Sequence, residues 1–342
     1  FDVMYWHAGE RLHELVKDNL VASLGSAQAT STWQDALPET ILKTVRFGGH
    51  FYGVPYSYYP WGFFYHRALF RDLDLRVPRN WQDFLSVAEQ LQDAGVTPFA
   101  LGSREYWPLG GWFDYLNLRL NGPDYHRQLL DGTIPLTDDG VETVLRTWKA
   151  LIDRGYFIKG HQELSWKSVL PLLYRRKAGM VLIGSFAGYE IPKRQRPEIG
   201  FFGFPRMDPS VPRVEEAPTD LFFLPHHARD NDMARRFLAR LRSADTQEKI
   251  NNATGMLSPH REARTAERLF IDESRAVVED SRELTQFLDR DAPEHFATPL
   301  LQELRRFMRS PDVEATQRRL EGIRQSAFPE AAMESNPRTG VQ

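Results

Sequence analysis

The 342-residue chain contains no cysteine. That removes thiol nucleophiles, thiolate zinc sites, iron–sulfur clusters and disulfides from its chemistry. It does not fix a compartment, because large exported proteins and cytosolic proteins alike can do without disulfides. A surplus of one charge is missing too. Forty-three Lys and Arg against 46 Asp and Glu leave a net charge of −3, without the basic excess that marks a nucleic-acid binder. No apolar run approaches the roughly 18 residues that a membrane-spanning helix needs. Enzyme signatures are absent as well. There is no P-loop, no GxGxxG, and no zinc helix, since His13-Glu14 lacks its second His. Gly184-Ser185-Phe186-Ala187-Gly188 sets its Ser beside the first Gly, the wrong spacing for a nucleophile elbow. His226-His227, adjacent at a strand end, point to opposite faces and are not assigned as metal ligands. Neither a cofactor nor a metal is expected. The chain carries no tandem repeat and no low-complexity tract.

What is present is an alternation of strand-like and helix-like segments. The length suits two domains, or one large one. Residues 2–6 read as a strand and residues 10–20 as a helix. With no starting Met and no basic leader, the opening strand reads as already inside a fold, and a longer gene product is expected. The clearest unit follows Val77. Asn80 is a good N-cap, and Asp83 stands in the first turn, where a carboxylate suits the helix dipole. Trp81, Phe84, Leu85, Ala88 and Leu91 keep helical spacing, and Gly95 stops the helix before a strand over residues 96–101. Further helices are expected over 141–153, 164–175 and 313–323, and further strands over 179–184, 199–204 and 221–224. Helix followed at once by strand is the grammar of an α/β fold. The tail after Pro329 has few apolar residues and is expected to fray.

The chain is rich in aromatics, with 8 Trp, 12 Tyr and 22 Phe. Several stand at strand-to-loop junctions, where α/β proteins hold ligands. Trp6 ends the first strand. Tyr59 and Trp61 follow the extended Gly53-Val54-Pro55 piece, with Tyr59 favoured over its neighbour Tyr58. Trp107 and Trp112 follow the strand ending near Leu101. Trp166 opens a helix, and Phe186 follows the 179–184 strand. Such stations suit sugars: a ring face of C–H groups stacks on an aromatic, and the hydroxyl rim takes polar groups. Asp220, just before a strand, is a candidate for a pair of hydroxyls. Trp81 and Trp148 lie on apolar helix faces and are assigned to the core; Trp33 also leans to packing. Arg119 reads as a structural ion-pair partner.

These residues resemble a family. Tyr52-Gly53-Val54-Pro55, Trp61-Gly62-Phe63-Phe64-Tyr65-His66-Arg67 and Val77-Pro78-Arg79-Asn80-Trp81-Gln82-Asp83 come in the order of the family 1 extracellular solute-binding proteins of carbohydrate ABC transporters, akin to maltose-binding protein. Lys177-Ala178-Gly179-Met180 with Gly184-Ser185-Phe186, and Thr254-Gly255-Met256-Leu257-Ser258-Pro259, continue the likeness over about residues 1–265. His66-Arg67 stands where the family has Asn-Lys, Asn80 where it has Thr, and the family's first strand–helix–strand unit has no counterpart.

The resemblance implies a two-lobe periplasmic-binding-protein-like α/β fold with a hinge and interleaved segments. Lobe one would take residues 1–63 and 205–254, and lobe two residues 64–204 and 255–342. It implies capture of a sugar or oligosaccharide by hinge closure, delivery to ABC permease subunits, no catalysis, no nucleic acid, and a monomer. The location would be periplasmic or extracellular, with a lipid anchor compatible. Ligand contacts would come from Trp6, Trp61, Trp107, Trp112, Trp166 and Phe186, with Tyr59, Glu105 and Asp220 as hydrogen-bonding candidates. Two alternatives stay open: a glycoside-active enzyme using the same aromatic subsites, and a sugar sensor module.

Overall fold

The computed structural model describes residues 1–26, 35–264 and 271–329. Trp33 and the tail after Pro329 lie outside the described residues. Two sheets organise the chain. The first has the order Met4–His7, Thr219–Phe223, Val54–Tyr58, all antiparallel. The second has the order Thr97–Phe99, Ala178–Gly184, Trp61–His66, Ile199–Phe202; its first pair is parallel and the others antiparallel. Only Tyr59 and Pro60 separate Val54–Tyr58 from Trp61–His66, so one extended stretch passes from sheet to sheet. A parallel pair, Val214–Glu216 with Glu283–Thr285, forms a separate two-stranded sheet.

Each sheet has its own apolar core. Ala8, Leu12, Val54, Leu221, Phe223 and Leu238 pack on the first. Phe63, Phe84, Phe99, Trp112, Phe204 and Trp148 belong to the second, which is larger. Each of the Val, Leu and Phe side chains among them contributes roughly 1.5–3 kcal/mol by leaving water. The strands of the second core read as continuous apolar runs because both of their faces are covered; every residue of Ala178–Gly184 is buried.

Helix Trp81–Asp93 forms as its sequence predicts. The Asn80 side chain accepts the Asp83 N–H at 2.9 Å, and Gly95 takes φ +74° just past the end. Trp81 lies half-buried, stacked on Phe84 at 5.3 Å. Trp148 is fully buried, 5.9 Å from Phe307. Both are packing residues. Arg119 is buried and paired with Glu215 at 2.6 Å, so it is tied into the fold as expected. The helix of residues 10–20 ends earlier, at Lys17. The strand of residues 2–6 begins and ends later, at Met4–His7, and that shift changes which side chain closes it.

Candidate functional site

The ends of the two sheets meet around a cavity of about 220 Å³ lined by His7, Tyr59, Trp61, Trp107, Phe186, Pro218, Phe287, Asp289 and Arg290. Its apolar wall is a set of interlocked rings. Trp61 stacks on Phe287 at 4.6 Å and meets Trp107 edge-on at 5.7 Å. Phe186 meets Tyr59 edge-on at 4.9 Å and Trp166 at 5.3 Å. These are the offset and T-shaped geometries that aromatic quadrupoles favour.

Two glycines let that wall close. A Cβ on Gly111 would stand 2.6 Å from Trp61 Cζ3, and one on Gly110 would stand 2.9 Å from Phe287 Cζ. Both lie in the first turn and a half of helix Pro108–Leu120. Trp107 precedes Pro108, which sits at the helix start, where its missing N–H costs nothing. Tyr106, before Trp107, takes φ +63°, a left-handed conformation unusual for an aromatic residue. Its ring lies 4.7 Å under the Arg305 guanidinium.

The polar wall comes from one short turn, Leu288–Asp291. Arg290 is buried and donates to Asp220 at 2.9 Å and to the Tyr59 hydroxyl at 2.5 Å. His7 Nδ1 lies 3.3 Å from the same Asp220 oxygen. Burial works against the Arg290 charge, but Tyr59, Asp220 and Asp289 together hold its pKa above the ordinary value. Asp289 makes no hydrogen bond or ion pair with the described residues. Burial pushes its pKa up, while Arg290, His7 and Arg11 pull it back. A second cavity of about 180 Å³ opens beyond Trp107, with Arg11, Glu105, Tyr106, Asp289, Glu294 and Gln302 in its wall. Trp107 and Asp289 border both cavities. The arrangement offers aromatic faces, the Asp289 carboxyl as an acceptor and the His7 ring as a polar group, with Arg290 tied to Asp220 and Tyr59. Among the described residues no cluster of three or more His, Asp or Glu stands where it could hold a metal ion.

Residues 1–248 of the 342 match the family model described as bacterial extracellular solute-binding protein. The chain belongs to that family. It is 27% identical over 267 residues to an uncharacterized ABC transporter extracellular-binding protein of Pyrococcus horikoshii, covering 77% of this chain and 59% of the relative. The match thus spans well under two thirds of that relative's length. A multiple sugar-binding protein of Streptococcus mutans is 30% identical over 161 residues, 45% of this chain and 38% of the relative. Among solved structures, the bacterial solute receptor AcbH superposes with a TM-score of 0.87 at 27% identity, over 98% of this chain and 85% of its own. AcbH is described as having an exclusive substrate preference for β-D-galactopyranose. A chitin oligosaccharide binding protein shares the fold at TM-score 0.82 and 19% identity, over 98% of this chain and 84% of its own. The two-lobe α/β fold of this solute-binding protein is therefore the one its sequence resembles. Among the described residues no helix is long and apolar enough to cross a membrane.

The residues expected at the site fall into three groups. Tyr59, Trp61, Trp107 and Phe186 line the first cavity, and Glu105 lines the second, accepting the Trp166 backbone N–H at 3.2 Å. Trp166 stands behind them, its ring 6.0 Å from Trp107. Asp220 is buried beneath the cavity and accepts from Arg290 and His7, so it supports the wall and does not border the space. Trp6 packs against the first core and donates its indole N–H to the Arg11 carbonyl at 3.2 Å. The strand's last residue, His7, borders the cavity in its place. Trp112 does not reach the cavity. It is 1% exposed and packed among Phe63, Phe99, Phe157 and Phe204. Helical spacing puts it four residues past Pro108, on the face turned to the core. Sequence reasoning missed His7, Phe287, Asp289 and Arg290. The last three come from a helical, charge-rich region with no strand-end signal; only their Phe-Leu-Asp-Arg composition offered a hint.

Proposed function

We propose that the protein captures a neutral sugar, as a single ring or a short oligosaccharide, between two lobes and delivers it to a membrane ABC permease. One lobe comprises residues 1–63 and 205–254, the other residues 64–204 and 255–342, and they close about the extended stretch that joins the sheets. Such hinge closure around a ligand is a recurrent switching mode. The protein acts outside the cytoplasmic membrane, as a monomer, and alters no bond of its ligand.

The observation that carries this reading is the cavity itself, with Trp61, Trp107 and Phe186 on one side and the unpaired Asp289 carboxylate on the other. At about 220 Å³ it is smaller than the roughly 300–1,000 Å³ of drug-sized sites, a size that suits one sugar ring. The second cavity, sharing Trp107 and Asp289, extends the site for a further ring. Neutrality follows from the charges. Arg290 is already committed to Asp220 and Tyr59, so a phosphate or carboxylate ligand would find no spare cation in the first cavity and would meet Asp289.

Titration calorimetry tests this with galactose, glucose, their disaccharides and a sugar phosphate. Binding heat is expected from a neutral sugar and not from the phosphate. Heat from no neutral sugar would count decisively against the reading. Labelled oligosaccharide incubated with the protein should stay intact; cleavage would favour the glycoside-active alternative.

A further inference from the structure

Behind the Leu288–Asp291 turn lies a pair of carboxyl groups that border neither cavity. Asp114, on helix Pro108–Leu120, and Glu216, at the end of strand Val214–Glu216, are both fully buried. Asp114 Oδ2 accepts the Leu288 N–H at 2.9 Å. Leu288 opens the turn whose next residues are Asp289 and Arg290. Asp114 Oδ1 and both Glu216 carboxyl oxygens have no other hydrogen-bonding group among the described residues. Two interacting buried carboxyls this poor in partners are compatible only if at least one of them is protonated. Burial raises the pKa of both groups; Asp114, which already accepts the Leu288 N–H, is the better-stabilised anion, and Glu216, which no backbone N–H reaches, holds the proton.

The surroundings give no other neutralisation. His126 Nε2 stands 4.0 Å from Asp114 Oδ1, and burial keeps that imidazole uncharged. Arg119 donates to the Phe204 and Val214 carbonyls and to Glu215. A buried carboxyl pair is costly where an apolar pair would pack freely. What an apolar side chain could not supply is an acceptor at the start of the Leu288 turn. The same segment is held twice more. Gln286 accepts the Thr219 N–H at 2.8 Å, and Asp291 accepts the Gln286 N–H at 3.0 Å.

We propose that Asp114 is a positioning residue for ligand binding: through the Leu288 N–H it fixes the turn that presents Asp289 and Arg290 to the cavity, with Glu216 as its proton donor. This rests on the sugar-binding reading for its consequence, but the fixing of the turn is measurable without ligand. Amide hydrogen exchange of the ligand-free protein is the first test. Asp114→Ala is expected to speed exchange at residues 287–291 at least tenfold, with helix Trp81–Asp93 unchanged. Asp114→Asn, which keeps an acceptor for Leu288 and offers an amide to Glu216, is expected to restore slow exchange. If Asp114→Ala does not fold, Glu216→Ala should speed the same amides at least threefold. Unchanged exchange at 287–291 in the variant that folds overturns the proposal.

The second test uses whichever sugar binds the wild type. Asp114→Ala should lower affinity at least tenfold, and lower it no further in an Asp289→Asn background. Val144→Ala, a core change in the neighbouring helix, should cost stability and leave affinity alone. Independent, multiplying effects of Asp114→Ala and Asp289→Asn overturn the proposal. Absence of any sugar binding by the wild type sinks the functional reading and leaves the exchange result to decide the role of Asp114.

Discussion

Replacing Gly111 by Ala probes the site through a residue that borders neither cavity. The added Cβ would stand 2.6 Å from Trp61 Cζ3 and 2.8 Å from Cε3. Ordinary carbon contacts lie near 3.5–4.0 Å, so the ring must retreat by about 1 Å. It cannot retreat freely, because Phe287 stacks on it at 4.6 Å and Trp107 meets its edge at 5.7 Å. A helix-interior Gly→Ala change would ordinarily stabilise by roughly 0.5–1 kcal/mol, while overpacking costs about 1–3 kcal/mol. The net expectation is a loss of stability of up to about 2.5 kcal/mol. Binding should fall too. A contact displaced by 0.5–1 Å forfeits about a quarter to a half of its well. Applied to a stacking contact of roughly 1–3 kcal/mol, taking base stacking as the analogue, that is about 0.3–1.5 kcal/mol, or about a 2- to 12-fold weaker affinity. The assay pairs thermal melting with titration calorimetry. Gly322 supplies the control: it is exposed in helix Val313–Ala327, and a Cβ there meets nothing within 4 Å. Gly322→Ala should raise the melting temperature and leave affinity unchanged. A Gly111→Ala protein that melts higher than wild type and binds sugar equally well would refute the reasoning.

Other expectations are simpler. Trp107→Ala should weaken sugar binding by roughly 1–3 kcal/mol, about 5- to 150-fold, by calorimetry; unchanged affinity in a folded variant makes Trp107 structural only. Asn80→Ala should cost about 1 kcal/mol in urea unfolding through loss of the cap, with no change in binding. Burial lowers the pKa of His126 to about 3 and that of His161 to about 4. The unfolded chain takes up these protons near the ordinary pKa of about 6.5, so stability is full above that pH and falls as pH drops towards 3–4. Urea midpoints at pH 7 and pH 4.5 should differ less in a His126→Gln, His161→Gln variant; an equal difference would remove these imidazoles as the cause.

Much of the fold was legible because its signals are local. Asn80, the spacing of Phe84, Ala88 and Leu91, and the glycine after the helix fix one element without help from the rest of the chain. The strand of residues 179–184 was equally plain, since a short apolar run between glycines has few other uses. The candidate site was legible where a strand terminus announces it, as at Tyr59, Trp61 and Phe186, and on the loop before a helix, as at Glu105 and Trp107. One residue of uncertainty at the first strand exchanged Trp6 for His7, because neighbouring strand residues point to opposite faces. Trp112 was read by its neighbourhood in sequence, whereas its helix turns it into the core. Asp289 and Arg290 were out of reach for a different reason: they approach Trp61 from more than two hundred residues away, and no local pattern encodes such a meeting.

Tyr106 gives the platform a particular thermodynamic character. A bulky residue at φ +63° costs on the order of 1–3 kcal/mol, a cost met when the chain folds and not when ligand arrives. With Tyr106 turned and Pro108 locking the next helix, the backbone on either side of Trp107 has little freedom left to lose. Association with a rigid surface forfeits less conformational entropy than association with a mobile one. If the proposed sugar reading holds, part of the affinity is set by a residue whose own ring faces an arginine, and replacing it by glycine would relieve the backbone strain, give up that ring's packing and leave Trp107 on a looser backbone.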